Sequence, residues 1–274
     1  VRSLTKKPFG VNLTILPSIT PPPYEEYART IVQSGVRIVE TAGNNPKKWI
    51  PLFKKAGLFC IHKCTSIRHA LSAQKLGVDV ISLDGFECSG HPGEDDVTNM
   101  ILAPIAARKL KIPFILSGGI GNGYGLAAAL AMGAEGVNMG TRFAVTKECP
   151  WPDAFKEACV KADERQTTLI FRTLKNTARV FKNKVAEEVA EIESRPGPTD
   201  FKDLQPLVSG ARGREGETRG DVDFGIWTAG PVIGMIEDVP SCKELIERMV
   251  RDAEGIISQR LSGMVSAEKP HSRL

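Results

Sequence analysis

The sequence has few histidines and no closely spaced pair of cysteines. Its 274 residues include only four histidines, and none of the six cysteines belongs to a C-x-x-C pair. No H-E-x-x-H or similar spacing occurs, so we expect no metal site. In a chain of this length, widely spaced cysteines are typical of reduced thiols and not of a disulfide framework.

Long apolar runs and a strong charge imbalance are also lacking. No apolar run is long enough to span a membrane, and no charged-then-apolar signal segment opens the chain. The net charge of +4 is small and scattered, which argues against a nucleic-acid partner. We therefore expect a protein that binds neither nucleic acid nor a membrane. The length suits one large α/β barrel or two smaller domains.

Short apolar runs alternate with amphipathic stretches through the first 140 or so residues. Several of the predicted helices end in glycine, as helix C-caps often do. This alternation is typical of parallel βαβ units. Six strands fit either a doubly wound sheet or an eight-stranded barrel whose first two strands are missing from this chain. The predicted strands cover residues 9–15, 36–40, 58–62, 78–83, 113–116 and 136–139.

The pattern changes after residue 142. Helical spacing predicts helices over residues 151–162, 177–192 and 241–261, with an extended piece at 167–171. Residues 193–199 and 210–220 are predicted to be loops because of their composition. We thus predict a barrel region over 1–146, a mostly helical cap over 147–262 and a flexible tail over 263–274.

A loop of small residues with one histidine follows the fourth predicted strand, at residues 85–93. Small residues allow a tight turn and a close approach of the backbone to a ligand. Imidazole is well suited to moving a proton near neutral pH, so His91 is a candidate general base. The local sequence equally allows a histidine that only holds the loop. Glu87 could orient His91 or form an ion pair within the loop.

Two glycine-containing clusters follow the last two predicted strands. Exposed backbone N–H groups and helix N-termini favour an anion there, and parallel barrels often bind phosphate after strands seven and eight. The alternative is that these glycines only form tight turns. A dinucleotide fingerprint is not expected, because the end of the next strand carries no acidic residue. The clusters contain Ser117, Gly118 and Gly119, and Asn138, Met139, Gly140 and Thr141.

Taken together, these motifs resemble those of the nitronate monooxygenases, formerly called 2-nitropropane dioxygenases. The resemblance extends from about residue 7 to residue 262 and is carried by residues 7–13, 39–43, 62–63, 85–93, 117–120 and 139–143. It implies an α/β fold, a TIM (β/α)8 barrel that binds FMN without a metal. The barrel would lack its first two strands in this chain, and a mostly helical C-terminal cap would close over the flavin.

The resemblance also implies roles for individual residues. His91 would be the catalytic base, Asn12 would bind the flavin ring, and Lys63 would lie near the flavin pyrimidine. Lys63 could instead be a barrel lysine paired with a carboxylate. The remaining cofactor-binding residues would be Asp84, Ser89, Gly90, Ser117, Gly118, Gly119, Asn138, Met139, Gly140 and Thr141. Among these, Ser89 and Gly90 would approach the flavin through their backbone, and the glycine clusters would hold the phosphate.

Three positions depart from the family's usual residues. Asp84 stands where Glu or Gln is more common, Ser89 replaces a common Gly, and Pro231 replaces a common Gln in the cap. The change at Asp84 keeps the charge of a Glu. The change at Pro231 is expected to alter the substrate side of the site.

The activity implied is oxidation of nitronates or nitroalkanes by O2 to a carbonyl compound and nitrite. A nitro compound and O2 would be the partners, and a homodimer is one expected assembly. The alternatives are an NAD(P)H-dependent FMN reductase of quinones or enoyl thioesters, and a non-catalytic barrel that binds a phosphorylated ligand. The ending Ser272-Arg273-Leu274 is close to the Ser-Lys-Leu peroxisomal signal. It predicts a peroxisomal location in a eukaryote and a cytoplasmic one otherwise.

Overall fold

A parallel sheet of six strands forms the centre of the fold in the computed structural model, which describes residues 1–16 and 22–265. The strands lie side by side in chain order, each parallel to the next. They are β1 (Gly10–Ile15), β2 (Ile38–Gly43), β3 (Phe59–Cys64), β4 (Val80–Asp84), β5 (Phe114–Ser117) and β6 (Val137–Asn138). The α/β class and the six parallel strands predicted from the sequence are confirmed, while closure by two further strands stays a prediction.

Helices connect the strands and cover one face of the sheet. They are α1 (Tyr24–Gln33), a 3-10 turn (Pro46–Lys48) leading into α2 (Ile50–Lys55), α3 (Ile67–Lys75), α4 (Asn99–Lys109) and α5 (Gly123–Ala131). Because side chains alternate along a strand, every second residue packs under these helices. Leu13, Val39 and Ile81 belong to that core. The residues between them, such as Lys63 and Asp84, face the other side of the curled sheet.

The chain after β6 builds a second layer above the strand ends. It contains α6 (Thr141–Ala144), α7 (Asp153–Lys161), an antiparallel hairpin of β7 (Thr167–Ile170) and β8 (Ala178–Phe181), α8 (Lys184–Ser194), α9 (Phe201–Val208), α10 (Gly210–Arg219), a 3-10 turn (Pro231–Met235) and α11 (Cys242–Gly255). A π-helical turn (Ile256–Leu261) and a 3-10 turn (Ser262–Met264) follow α11. Leu245 and Met249 of α11 join the main core.

Two sequence predictions in this second layer are wrong. The segment predicted as a helix from residue 177 begins instead with β8, because Ala178–Phe181 is buried and pairs with β7. The helix starts only at Lys184, where the Asn183 side chain caps it. The segment 210–220 was predicted to be a loop but contains α10, which Ser209 caps and Gly220 ends in a left-handed conformation. Tertiary packing outweighs the low helix propensity of its glycines.

Two further findings concern membrane-spanning helices and the C-terminal tripeptide. Within residues 1–16 and 22–265, no helix is both long and apolar enough to cross a membrane. The tripeptide Ser272-Arg273-Leu274 lies outside the described residues, so the predicted peroxisomal or cytoplasmic address stays a prediction.

Asn99, the first residue of α4, joins three parts of the fold. Its side-chain Nδ2 donates to the carbonyl oxygens of Ser117 (2.8 Å) and Gly118 (2.9 Å), at the end of β5. Its backbone N–H donates to both carboxylate oxygens of Glu87, each at 3.2 Å. The loop after β4 and the loop after β5 are therefore held together by one buried residue.

We expect Asn99→Ala to lower the free energy of unfolding by roughly 1–3 kcal/mol, because it leaves two carbonyl groups without their donor. Met100→Ala is the matched control, since Met100 is 67% exposed on the same helix turn and should change the free energy by less than about 0.5 kcal/mol. Urea unfolding followed by circular dichroism measures both. Equal effects of the two substitutions would contradict the role given to Asn99.

Candidate active site

A cavity of about 670 Å³ lies at the carboxyl ends of the six strands. This volume is in the usual range for small-molecule sites, and parallel sheets commonly bind ligands at this end. The loops after the strands line most of it, and the cap contributes residues around Gly230. Gly230 is tied to the end of β6, because its backbone N–H donates to Thr141 Oγ1 at 3.1 Å.

The structure brings eleven of the thirteen predicted site residues to this cavity. They are Lys63, Asp84, Ser89, His91, Ser117, Gly118, Gly119, Asn138, Met139, Gly140 and Thr141. Asn12 and Gly90 are not among its lining residues. Asn12 Nδ2 donates to Glu40 Oε2 at 2.7 Å on the neighbouring strand, and Gly90 pairs through its backbone with Arg179 of β8. Pro231 is also outside the lining, although its neighbours Gly230 and Val232 belong to it.

His91 stands exposed at the rim of the cavity, in the loop after β4. No hydrogen bond to its ring occurs in the described part of the chain. Partial desolvation lowers the pKa of His91 below its ordinary value, and the negative charge of Glu94 partly offsets this. The neutral imidazole is therefore the main form at neutral pH, and this is the form that can take a proton.

Glu87 does not orient His91. Both of its carboxylate oxygens accept the backbone N–H of Asn99, at the start of α4. A carboxylate at a helix N-terminus is stabilised by the helix dipole as well as by this hydrogen bond. Glu87 therefore anchors the base of the loop, and the loop positions His91 without a direct carboxylate partner for the ring.

Lys63 and Asp84 form a polar pair inside the cavity. Lys63 Nζ lies 3.8 Å from Asp84 Oδ1, and Oδ1 has no hydrogen-bond partner within the described residues. Burial raises the pKa of Asp84, and the positive charge of Lys63 opposes that rise. An unsatisfied buried acceptor beside a cation suits a ligand that presents an N–H group next to an electron-rich oxygen. The edge of a flavin ring is such a ligand.

The glycines of the two clusters serve different purposes. Gly118 and Gly119 have φ angles of +94° and +73°, and a Cβ on Gly118 would lie 2.7 Å from the backbone N of Cys88. These two glycines are therefore required by the turn and by packing against the loop that carries His91. A Cβ on Gly140 would meet only Ser89 Oγ, at 4.0 Å, and would otherwise point into open space. The space beside Gly140 is therefore an open cradle, which any side chain at this position would fill. A bound phosphate would need this space to be open.

Some residues that shape the site are not among those predicted from the sequence. His62 lines the cavity although its side chain is buried, and Thr41 Oγ1 lies 2.9 Å from its Nδ1. Burial lowers the pKa of His62 to about 4, so this ring is neutral. Glu94 and Thr177 also line the cavity and are bonded to each other. No local motif marks Thr177, because its partner lies 83 residues away.

Across residues 1–16 and 22–265, no group of three or more His, Cys, Asp or Glu side chains is arranged to hold a metal ion.

Comparisons with known proteins identify the family of the chain. The family model described as nitronate monooxygenase matches residues 1–252. A CoA dehydrogenase of Rhodococcus jostii, named (3aS,4S,5R,7aS)-5-hydroxy-7a-methyl-1-oxo-octahydro-1H-indene-4-carboxyl-CoA dehydrogenase, is 28% identical over 92% of this chain and 79% of its own length. The nitronate monooxygenase of Paraburkholderia phytofirmans is 27% identical over 75% of this chain and 57% of its own length.

A solved structure has the same fold. FabK from Thermotoga maritima superposes with a TM-score of 0.88 at 31% identity, covering 96% of this chain and 81% of its own. The arrangement of strands, loops and cap described above is therefore shared with this neighbour.

FMN, the cofactor that the resemblance implies, would place its phosphate beside Gly140. Gly140→Asp is therefore expected to abolish its tight binding, because the new carboxylate would occupy the open cradle and repel the phosphate. Two negative charges placed next to each other at a binding site cost several kcal/mol, so the Kd for FMN should rise by at least about 100-fold. Quenching of FMN fluorescence on titration with protein measures this. Gly140 is a better probe than Gly119, because the left-handed backbone at Gly119 would be strained by any side chain.

Gly255→Asp is the matched control for this substitution. A Cβ on Gly255 meets no atom within 4 Å, and the residue lies at the end of α11, outside the cavity lining. It adds the same charge and should leave the Kd unchanged. Undiminished FMN binding by Gly140→Asp would rule out a phosphate beside Gly140.

Proposed function

Because the chain belongs to the nitronate monooxygenase family, a family of oxidoreductases, we propose that it oxidises nitronates or nitroalkanes with O2. The products would be a carbonyl compound and nitrite, and FMN would be the cofactor. The observation that carries the proposal is the position of His91 at the rim of a cavity whose polar groups suit a flavin and its phosphate. Family membership also favours an enzyme over a barrel that only binds a phosphorylated ligand.

The residues that would hold FMN form two groups. Ser117, Gly140 and Thr141 would bind the phosphate together with the backbone of Gly118 and Gly119. Lys63 and Asp84 would face the polar edge of the flavin ring. When bound, the flavin supplies a group that accepts electrons from the substrate and passes them to oxygen.

His91 would act on the carbon next to the nitro group. The neutral ring takes the α-proton of a nitroalkane at a ring nitrogen, which converts the substrate to its nitronate. The imidazolium that results lies next to the new anion and stabilises it, and Glu94 in turn favours the imidazolium. Because His91 is exposed at the rim, the proton can then pass to solvent. A nitronate formed in solution needs none of these steps.

Closure of the sheet into a (β/α)8 barrel is the second part of the proposal. Among the described residues, β1 and β6 each pair on one side only. Phe59 precedes the buried Cys60 on β3, so it lies on the concave side of the sheet, where it is 44% exposed. Two additional strands between β6 and β1 would satisfy the free edges and cover this side.

A second candidate function is NAD(P)H-dependent reduction of an enoyl thioester, at the carbon–carbon double bond. The CoA dehydrogenase of Rhodococcus jostii matches more of this chain than the Paraburkholderia nitronate monooxygenase does, 92% against 75%. In this alternative His91 would exchange a proton at the carbon next to the thioester carbonyl, and NAD(P)H would be the reductant. NADPH consumption that depends on an enoyl thioester would identify this activity. Oxygen consumption that depends on a nitronate would identify the first.

His91→Asn tests the role of the base because it removes the proton acceptor but keeps a similar size. Activity on a neutral nitroalkane should fall by roughly 100- to 10,000-fold, a usual range for loss of a general base. Activity on the preformed nitronate should fall much less, since its proton has already been removed. Oxygen consumption with each substrate measures this. Equal losses on both substrates would show that His91 positions the substrate and does not act as a base.

A further inference from the structure

The β7–β8 hairpin of the cap binds the His91 loop directly before the histidine. The backbone N–H of Gly90 donates to the Arg179 carbonyl at 3.0 Å, and the Arg179 N–H donates back to the Gly90 carbonyl at 2.6 Å. These two bonds form a single antiparallel bridge between the loop and β8. The Arg179 guanidinium also donates to the Phe86 carbonyl at 3.0 Å and lies 4.7 Å from the centre of the Phe86 ring.

The same hairpin binds the loop a second time, after the histidine. Thr177 donates its backbone N–H to Glu94 Oε1 at 2.8 Å and its hydroxyl to Glu94 Oε2 at 2.6 Å. Thr177 is buried, whereas Glu94 is exposed. Hydrogen bonds of this length to a carboxylate are among the stronger ones in proteins. A third tie joins Asp96 to Arg172, whose charged atoms lie 2.9 Å apart.

His91 lies between these ties and has no hydrogen bond of its own within the described residues. Its position in the cavity therefore depends on what holds its neighbours. Both oxygens of Glu94 are occupied by Thr177, so Glu94 acts on His91 through its charge and not as a direct partner. If Thr177 released the carboxylate, Glu94 would be free to pair with a protonated His91 three residues earlier in the same loop.

We propose that Thr177 and Glu94 are positioning residues for His91. The hairpin of the cap, through this pair and the Gly90–Arg179 bridge, holds the histidine over the cavity and keeps the carboxylate away from its ring. The catalytic consequence rests on the proposed function, in which His91 is the base. The contacts by which the hairpin holds the His91 loop do not depend on that function.

Several charged groups besides Glu94 surround the loop. Glu94 is the only charged group with a resolved effect on the pKa of His91. The charged side chains on the loop, on the hairpin and on the adjoining strand ends are Glu87, Asp95, Asp96, Arg172, Lys175, Arg179, Lys63 and Asp84.

The test compares Thr177→Val with Thr177→Ser. Valine keeps the branched shape and the backbone N–H but removes the hydroxyl, whereas serine keeps the hydroxyl. The pKa of His91 is measured by NMR titration of the ring, with its signal identified by its loss in His91→Asn. We expect a pKa below about 6.5 in the unaltered protein, a clear rise in Thr177→Val, and a return to the original value in Thr177→Ser. The rise follows because Glu94 Oε2 loses its hydroxyl donor and can pair with the protonated ring, while the backbone N–H of residue 177 still binds Oε1.

Activity provides the second readout. For a neutral nitroalkane we expect kcat of Thr177→Val to fall by roughly 10- to 100-fold, the scale associated with a misplaced catalytic group. KM should change much less, and Thr177→Ser should recover most of the loss. Thermal unfolding of each variant shows whether the protein is still folded under the assay conditions.

Glu94→Gln gives an independent test should Thr177→Val fail to fold. It removes the negative charge but keeps the shape, so the pKa of His91 should fall below that of the unaltered protein. An unchanged pKa in Thr177→Val, or in Glu94→Gln where the valine variant is unfolded, would overturn the proposal. If the pKa values shift as expected but the unaltered protein oxidises no nitroalkane, the positioning role stands and the proposed activity fails.

Discussion

The close contact between the loops after β4 and β5 is the constraint on which the candidate site depends. No side chain fits at Gly118, because a Cβ there would lie 2.7 Å from the backbone of Cys88. Asn99 joins the same two loops through its amide and its backbone N–H. The loop with the candidate base and the loop with the candidate phosphate ligands are therefore a single unit. Any change in one loop is expected to move the other.

Much of the barrel region could be predicted from the sequence, because its signals are local. Each predicted strand of the sheet is present, displaced at most by a few residues, since apolar runs and glycine-terminated helices occur in regular alternation. The second layer was harder to predict from the sequence. Its β8 strand exists because it pairs with β7, and α10 forms in a segment rich in glycine because its neighbours pack against it. Such non-local causes leave little trace in a local pattern.

The candidate site shows the same division. His91 and the glycine clusters are marked by local motifs, and the structure brings them to one cavity. Asn12 was predicted by resemblance to contact the ligand, yet it is bonded to Glu40 on the neighbouring strand and does not line the cavity. The bonds from Thr177 to Glu94 join residues 83 positions apart, so only the folded chain reveals them. In the two candidate reactions, proton transfer at the carbon next to a nitro group or next to a thioester carbonyl would make the same demand on His91.

The most direct test of the account is the absorbance of the purified, FMN-loaded protein under anaerobic conditions. A nitronate alone should bleach the flavin, and readmitted oxygen should restore the colour with release of nitrite. NADPH alone should act much more slowly. A flavin that NADPH bleaches rapidly and a nitronate leaves unchanged would contradict the proposed oxidation and favour the NAD(P)H-dependent reductase of enoyl thioesters. A protein that stays colourless with added FMN would contradict the cofactor assignment itself.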